Sequence, residues 1–157
     1  MASGDVLNKY AAKVNLASTA LTNLANGSAW QSAVIDNTAT RYRDVLLRIA
    51  SKAQAATSGA LEVYAYAALG DASYTDGASG TDSAFAGARK NAVPVGVVVM
   101  NGATPVVGPV LSVAAAFGGT LPDKFGFIVV NNSGAQLTNT GGDQVVDYEG
   151  VYGAVVP

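Results

Sequence analysis

The sequence predicts an all-β protein, an antiparallel β-sandwich with jelly-roll-like winding and an extended N-terminal arm. Apolar and polar residues alternate in several stretches of strand length, and turn-forming residues separate those stretches. The long connections between them favour Greek-key or jelly-roll winding. A chain of 157 residues is long enough for one self-sufficient core, and we assign residues 1–29 to the arm and 30–157 to the sandwich.

The longest apolar run, at residues 125–130, is predicted to form a central strand. Phe125, Phe127 and Val129 share one face and the intervening residues share the other, so neither face carries a charge. A strand of this kind is typically buried on both sides. Glycines and a proline precede the run, and the turn-forming segment 131–134 follows it.

Five further stretches are expected to be strands because their apolar residues recur at every second position. They are residues 41–52, 61–69, 93–99, 111–117 and 145–156. In the first of them, Val45, Leu47, Ile49 and Ser51 share one face, which predicts a half-exposed strand. The second stretch is expected to return beside the first as its antiparallel partner.

Three aromatic residues are candidates for contact with other molecules. Tyr64 and Tyr66 are expected to point outward from the second of these strands, as residues at a protein interface or on a sugar-binding platform would. Tyrosines that pack on a plain antiparallel pair explain them equally well. Trp30, the sole tryptophan, is expected to anchor the rim of the core with its N–H satisfied, in preference to stacking on a ligand.

The first 26 residues follow neither the helical nor the strand period, although residues 18–25 permit a short helix. We interpret this segment as an extended arm. Ordering its backbone costs about 1–2 kcal/mol per residue, more than its few apolar residues recover at roughly 1.5–3 kcal/mol each. We therefore expect the arm to pair its backbone with the body or with a partner, and we name Leu16, Leu21 and Leu24 as candidate interface residues.

A long polar segment, residues 70–92, is rich in Gly, Ser, Asp and Thr, and loops of that length are usually functional or held by a partner. Asp71 and Asp82 match the ends of a twelve-residue calcium loop. The inside does not match, because Asp76 stands where glycine is needed and Asp82 is shorter than the expected glutamate. We therefore expect a solvated loop with Asx turns and no metal ion.

The composition argues against enzymatic chemistry. The chain has no Cys and no His, which removes disulfides, thiolate nucleophiles, zinc sites and imidazole general bases together. Asp147 and Glu149 share a strand face, but a solvated edge strand explains them better than a glycosidase carboxylate pair. We expect no catalytic activity and no cofactor.

Charge and hydropathy narrow the choice of partners. The net charge of -2 and the pI near 4.8 leave no basic surface for nucleic acid. No apolar run reaches the ~18–20 residues of a membrane span, and the amino terminus lacks the charged-then-apolar pattern of a signal peptide. We expect the protein to be made and kept in the cytosol of the cell that produces it, unless it leaves inside a larger particle.

Four segments carry a resemblance to a known group of proteins. They are LANGSAWQSAVIDNTATRYRDVLLRI, LEVYAYAALGD, SVAAAFGGTLPDKFGFIVVNNSGAQL and YEGVYG, which together span nearly the whole chain from Leu24 onward. In these segments the chain resembles small virion proteins of tailed bacteriophages. The resemblance implies a jelly-roll-like sandwich on the capsid surface, a decoration or cement protein whose partners are the major capsid protein and its own copies, commonly in homotrimers.

The expected mechanism is that the arm docks on the shell or on a neighbouring subunit while the sandwiches associate with one another. Deletion of residues 1–26 is then expected to abolish particle binding and to leave the sandwich folded. Three alternatives stay open: a tail, baseplate or fibre module, a lectin-like receptor binder that uses Tyr64, Tyr66 or Tyr74, and a non-viral binding domain.

Overall fold

The computed structural model describes residues 6–16, 18–55, 57–140 and 142–155, and the regular structure within them is almost entirely β. The strands are β1 (Val6–Tyr10), β2 (Val14–Leu16), β3 (Ala29–Gln31), β4 (Ile35–Asp36), β5 (Asp44–Ser51), β6 (Ala60–Ala68), β7 (Ser83–Phe85), β8 (Val93–Val99), β9 (Val106–Val107), β10 (Leu111–Ser112), β11 (Lys124–Asn132) and β12 (Val145–Val155). Two one-turn helices, α1 (Asn37–Thr40) and α2 (Val113–Ala116), accompany them. No helix in the described ranges is long and apolar enough to cross a membrane.

The strands form two antiparallel sheets that pack face to face, which confirms the expected all-β sandwich. Sheet A has the order β1–β12–β5–β10, with β2 beside β1 on the same edge of β12 and β9 beside β10 on the far edge of β5. Sheet B has the order β7–β3–β11–β6–β8, with β4 also paired to β11. The expectation of a central strand is confirmed, because β11 lies in the middle of sheet B and pairs with β6 over nine residues.

The expected pairing of β5 with β6 is wrong, because the two strands lie in different sheets. The chain crosses from one sheet to the other between them. Gly59, at the end of this crossing, lies so close to the backbone of Asn132 and Ser133 that a Cβ would collide with it. This close approach of two backbones sets β6 beside β11, and β5 pairs instead with β12.

The main core lies between the sheets and is built as the alternation predicted. Val45, Leu47 and Ile49 of sheet A are fully buried, and so are Leu61 and Val63 of sheet B. Phe125 and Phe127 pack edge to face with ring centroids 6.1 Å apart, in a geometry that aromatic pairs favour.

A second, smaller core lies on the outer face of sheet B, under the segment 70–92. Sheet B contributes the buried residues Ala29, Tyr66, Phe85, Ile128 and Val130, with Phe85 in β7, and the rest of the segment contributes Ala78 and Ala92. The expectation of a solvated loop is therefore wrong for these residues. Small apolar side chains among the glycines, serines and aspartates fasten the segment to the sheet.

The expected strand at residues 111–117 is also wrong beyond Ser112, where the chain turns into α2. The Ser112 side chain accepts a hydrogen bond from the Ala115 N–H (3.2 Å). Asp44 accepts two more, from the Ser112 hydroxyl (2.7 Å) and the Ala114 N–H (2.8 Å). These acceptors cap the first turn, and the alanines that follow favour helix over strand.

The N-terminal segment is extended, as expected, and it pairs with the body of its own chain. β1 lies antiparallel to residues 151–155 of β12, and β2 lies antiparallel to residues 146–148 of the same strand. A 3₁₀ turn at Thr19–Leu21 then carries the chain into the sandwich. Residues 6–16 and 18–29 of the predicted arm therefore fold together with the sandwich, and its first five residues lie outside the described part of the chain.

Candidate interaction surfaces

The three leucines proposed as interface residues lie in the main core. Leu21 is fully buried, and Leu16 and Leu24 are buried nearly as well. They contact the interior of their own chain and are not on the surface, so the assignment to an intermolecular interface is corrected. The physical reason is that β2 and the 3₁₀ turn direct Leu16 and Leu21 into the gap between the sheets, and Leu24 follows the turn into the same core.

Trp30 is also fully buried in the main core, and its polar atom is satisfied as expected. Its Nε1–H donates to Asp82 Oδ1 at 2.6 Å, and Asp82 Oδ2 accepts from the Thr19 N–H at 3.0 Å. One carboxylate therefore joins the N-terminal segment, β3 and the loop before β7. Because no face of its ring is exposed, Trp30 cannot contact another molecule, and its assignment as a candidate interface residue is wrong.

Tyr66 does lie on the outer face of its strand, but the expectation that it is exposed is wrong. Its exposed fraction is 0%, because the segment 70–92 covers it. The hydroxyl donates to the Ser32 carbonyl at 2.8 Å, and the Tyr74 ring packs edge to face at 5.5 Å. Burial raises the pKa of the Tyr66 phenol far above its ordinary value, so the hydroxyl stays protonated and donates.

Tyr64 is half-buried on the same face, and its hydroxyl is held close to the sheet. It donates to Glu62 Oε2 at 2.8 Å, while the Asn132 side-chain amide donates to Oε1 at 2.9 Å. These two hydrogen bonds lower the pKa of Glu62, and the bond to Glu62 raises the pKa of Tyr64. Tyr64 therefore keeps part of its ring at the surface but has its polar end occupied.

The three aspartates of the segment 70–92 are bound to separate donors. Asp71 accepts from the Ser73 N–H in an Asx turn, as expected, and that bond lowers its pKa. Asp76 accepts from the N–H groups of Asn91 and Ala92, and these bonds keep its pKa low against the opposing effect of desolvation. Asp82 accepts from the Trp30 Nε1–H and from the Thr19 N–H. Within the described ranges, no three acidic side chains come together as ion ligands would.

Asp147 is the centre of an ionic cluster on the outer face of sheet A. The expectation of a solvated edge strand is wrong, because β12 has neighbours on both sides and the Asp147 side chain is almost fully buried. Arg48 donates to it at 2.7 Å, Lys13 at 3.1 Å and the Asn15 amide at 3.1 Å. Burial alone would raise the pKa of Asp147, but these hydrogen bonds outweigh burial and lower it.

A shallow groove of about 330 Å³ passes over this ionic cluster. Leu46 and Val110 line it beside Arg48, Asp147 and Glu149. The centre of the face therefore combines an ion cluster, whose carboxylate is satisfied, with apolar side chains.

Exposed apolar residues lie on both sides of the groove on this same face of sheet A. Val6 and Tyr10 of β1 are 52% and 59% exposed, and Val155 of β12 stands directly opposite Val6. Val107 and Val110 are exposed near the other edge of the sheet. Patches of exposed apolar side chains on a sheet commonly mark protein contacts. We call this surface, from β1 across the groove to β9, the bare face.

Sheet B has no comparable surface, because its own chain covers most of its outer face. The second core occupies the area over β3, β11 and β6. On the part of that face that the structure describes, the edge strand β8 presents the exposed apolar residues Val97 and Val99. The alternation in the sequence assigned these residues to faces, but only the topology shows which face remains uncovered.

No protein-family model matches the chain, and neither the curated proteins nor the solved structures contain a significant match.

Proposed function

We propose that this protein is a structural component of a tailed-bacteriophage virion, where it decorates the capsid and reinforces it by binding the outer shell and neighbouring subunits. The resemblance of its segments from Leu24 onward to small phage virion proteins supports this role. The attachment surface we assign is the bare face, since β1 and β2 are already paired within the sheet and are not free to reach a shell.

One observation carries the proposal, namely the contrast between the two outer faces. The chain folds the segment 70–92 against the outer face of sheet B, and it leaves sheet A with exposed valines on either side of the groove. A monomer gains nothing from exposed Val107 and Val110, whereas a protein that docks on a flat surface gains from covering them.

The electrostatics of the bare face suit docking on a protein surface. Arg48 and Lys13 share the carboxylate of Asp147, so a partner that covers the groove does not leave that acid unpaired. Where many copies dock on one lattice and also contact each other, modest individual contacts add to durable attachment.

The first test is the number of copies per particle. Quantitative mass spectrometry of virions that carry this chain should find hundreds of copies, in a fixed ratio to the major capsid protein. A handful of copies would assign the chain to the tail, baseplate or fibre instead. Absence from purified particles would refute the virion role.

The second test locates the attachment surface with matched variants. Val107→Lys with Val110→Lys places charges on the bare face, and Val97→Lys with Val99→Lys places the same charges on sheet B. All four positions are exposed, so each pair should leave folding nearly unchanged. We expect the first pair to reduce binding to undecorated shells about tenfold or more, since lost apolar contact and a buried charge together exceed ~1.4 kcal/mol. Equal binding by both pairs would rule out the bare face.

A further inference from the structure

The free edge of β1 is a second feature that the fold leaves unused. β1 pairs with β12 on one side, and no described strand pairs with its other side. The strand carries exposed Val6 and Tyr10 and has no proline or bulge, and Lys9 is its only charged residue. Edge strands of this kind readily pair with another chain.

The direction of the backbone groups identifies which residues form this edge. The Ala11 N–H donates to the Gly150 carbonyl of β12 at 2.8 Å. Because the N–H and C=O of one residue in an antiparallel strand point to the same side and alternate along the chain, Leu7 and Lys9 also face β12. The backbone groups of Val6, Asn8 and Tyr10 therefore point away from the sheet.

We propose that the occupant of this edge is β1 of a second copy of the chain, paired antiparallel about a twofold axis at Asn8. In that register Asn8 faces Asn8 of the second copy, and Val6 faces its Tyr10. All three outward residues then exchange backbone hydrogen bonds, six in total, as alternate residues of an antiparallel ladder do.

The side chains agree with this register. On the outer face, each Val6 meets a tyrosine ring, and aromatic and β-branched residues are a favourable cross-strand pair. On the inner face, the stem of Lys9 lies opposite half-exposed Leu7, while the ammonium group remains in water. No like charges stand directly opposite each other. The two sheets A would join into one continuous sheet, and their bare faces would lie side by side.

The expected dimer is weak, because a five-residue edge covers less than the ~800 Å² per partner of a standard interface. Sedimentation of the purified full chain over about a hundredfold range of concentration should show a mass that rises from 15.7 kDa towards twice that value. This measurement needs no virion, so its failure is separate from a failure of the proposed function.

A matched pair of variants tests the edge. Asn8→Pro removes an outward N–H that β12 does not use, and proline is tolerated at such edge positions. Asn8→Ala keeps the N–H. We expect the proline variant to dimerise about tenfold or more weakly, because two of six hydrogen bonds are lost, and the alanine variant to dimerise normally. A chain that stays monomeric throughout, or a proline variant that dimerises like the wild type, would overturn the proposal.

Single cysteines test the register, since the chain has none of its own. Asn8→Cys places two Cα atoms about 5.5 Å apart, within the range that a disulfide bridges. Val6→Cys places them about 14 Å apart along the strands and should not cross-link with itself. It should cross-link with Tyr10→Cys when the two variants are mixed. Self-linking of Val6→Cys at the rate of Asn8→Cys would refute the twofold axis at Asn8.

Discussion

Leu21→Ala tests whether the N-terminal segment is part of the fold or a detachable arm. Leu21 lies in the 3₁₀ turn after β2, has an exposed fraction of 0% and belongs to the main core. If the segment were an appendage, truncating this side chain would leave the stability of the sandwich unchanged. If the segment completes the core, the same change opens a cavity between the sheets.

The magnitude follows from the burial. A fully buried leucine replaced by alanine loses about 2–5 kcal/mol, from transfer and cavity terms together. In a domain of this size each kcal/mol corresponds to about 2–4 °C in Tm. A loss near 3 kcal/mol therefore predicts a fall in Tm of about 6–12 °C. That loss is a large part of a stability of ~5–15 kcal/mol.

Urea unfolding followed by the fluorescence of buried Trp30 measures the effect directly, because Trp30 lies in the same core. Leu69→Ala is the matched control: the chemistry is identical, but Leu69 is 85% exposed and should change the free energy by less than about 0.5 kcal/mol. Equal midpoints for the two variants would refute the reasoning and restore the detachable arm. Deletion of residues 1–26 would then leave the sandwich folded, whereas we expect it to unfold the protein.

Three other changes have expected outcomes in the same urea assay. Tyr66→Phe should cost about 1–3 kcal/mol, because the buried Ser32 carbonyl loses its donor. Gly126→Ala should cost about 1–3 kcal/mol, since its Cβ would overlap the Tyr66 ring. Asp147→Asn should cost about 1–2 kcal/mol at pH 7, with two partly exposed cationic partners. The pKa of Asp147 is lowered in the folded state, so its contribution is present above the ordinary aspartate value and disappears as pH falls through the folded value. The wild type and Asp147→Asn should therefore converge in stability as pH falls through the folded-state pKa, and a difference that persists below it would contradict the ionic explanation.

The sequence predicted the faces of the strands well, because a two-residue period depends only on local geometry. The buried sides of β5 and β11 and the length of β12 follow directly from it. The failure at residues 113–116 has a local cause, since the alternation ends where Ser112 and Asp44 cap a turn of alanines. The Ser112 cap is local and could be found from the sequence. The Asp44 cap could not, because Asp44 is distant in sequence from the turn that it caps.

The remaining errors concern what lies next to each strand. Alternation correctly set Tyr66 on the outer face, but it carried no information that a segment 70–92 folds back over that face. Alternation also left open whether the arm pairs with its own body or with a partner. In the structure β1 and β2 of the arm pair with β12 of the same chain. Pairing between distant segments depends on the competition of all strands for neighbours, which no single stretch of sequence encodes.

The same topology connects the two proposals. Because β1 lies at the edge of sheet A, a twofold pairing at that edge extends the sheet without covering the bare face. Two copies would therefore present twice the docking area to one surface, and each tethered copy would raise the effective concentration of the other. The β1 dimer is weak in solution, and docking on a lattice raises the local concentration of the β1 edges, so pairing becomes more complete there. Variants that weaken the edge, such as Asn8→Pro, should then lower shell occupancy most at low protein concentration, whereas changes at Val107 and Val110 should lower it at every concentration.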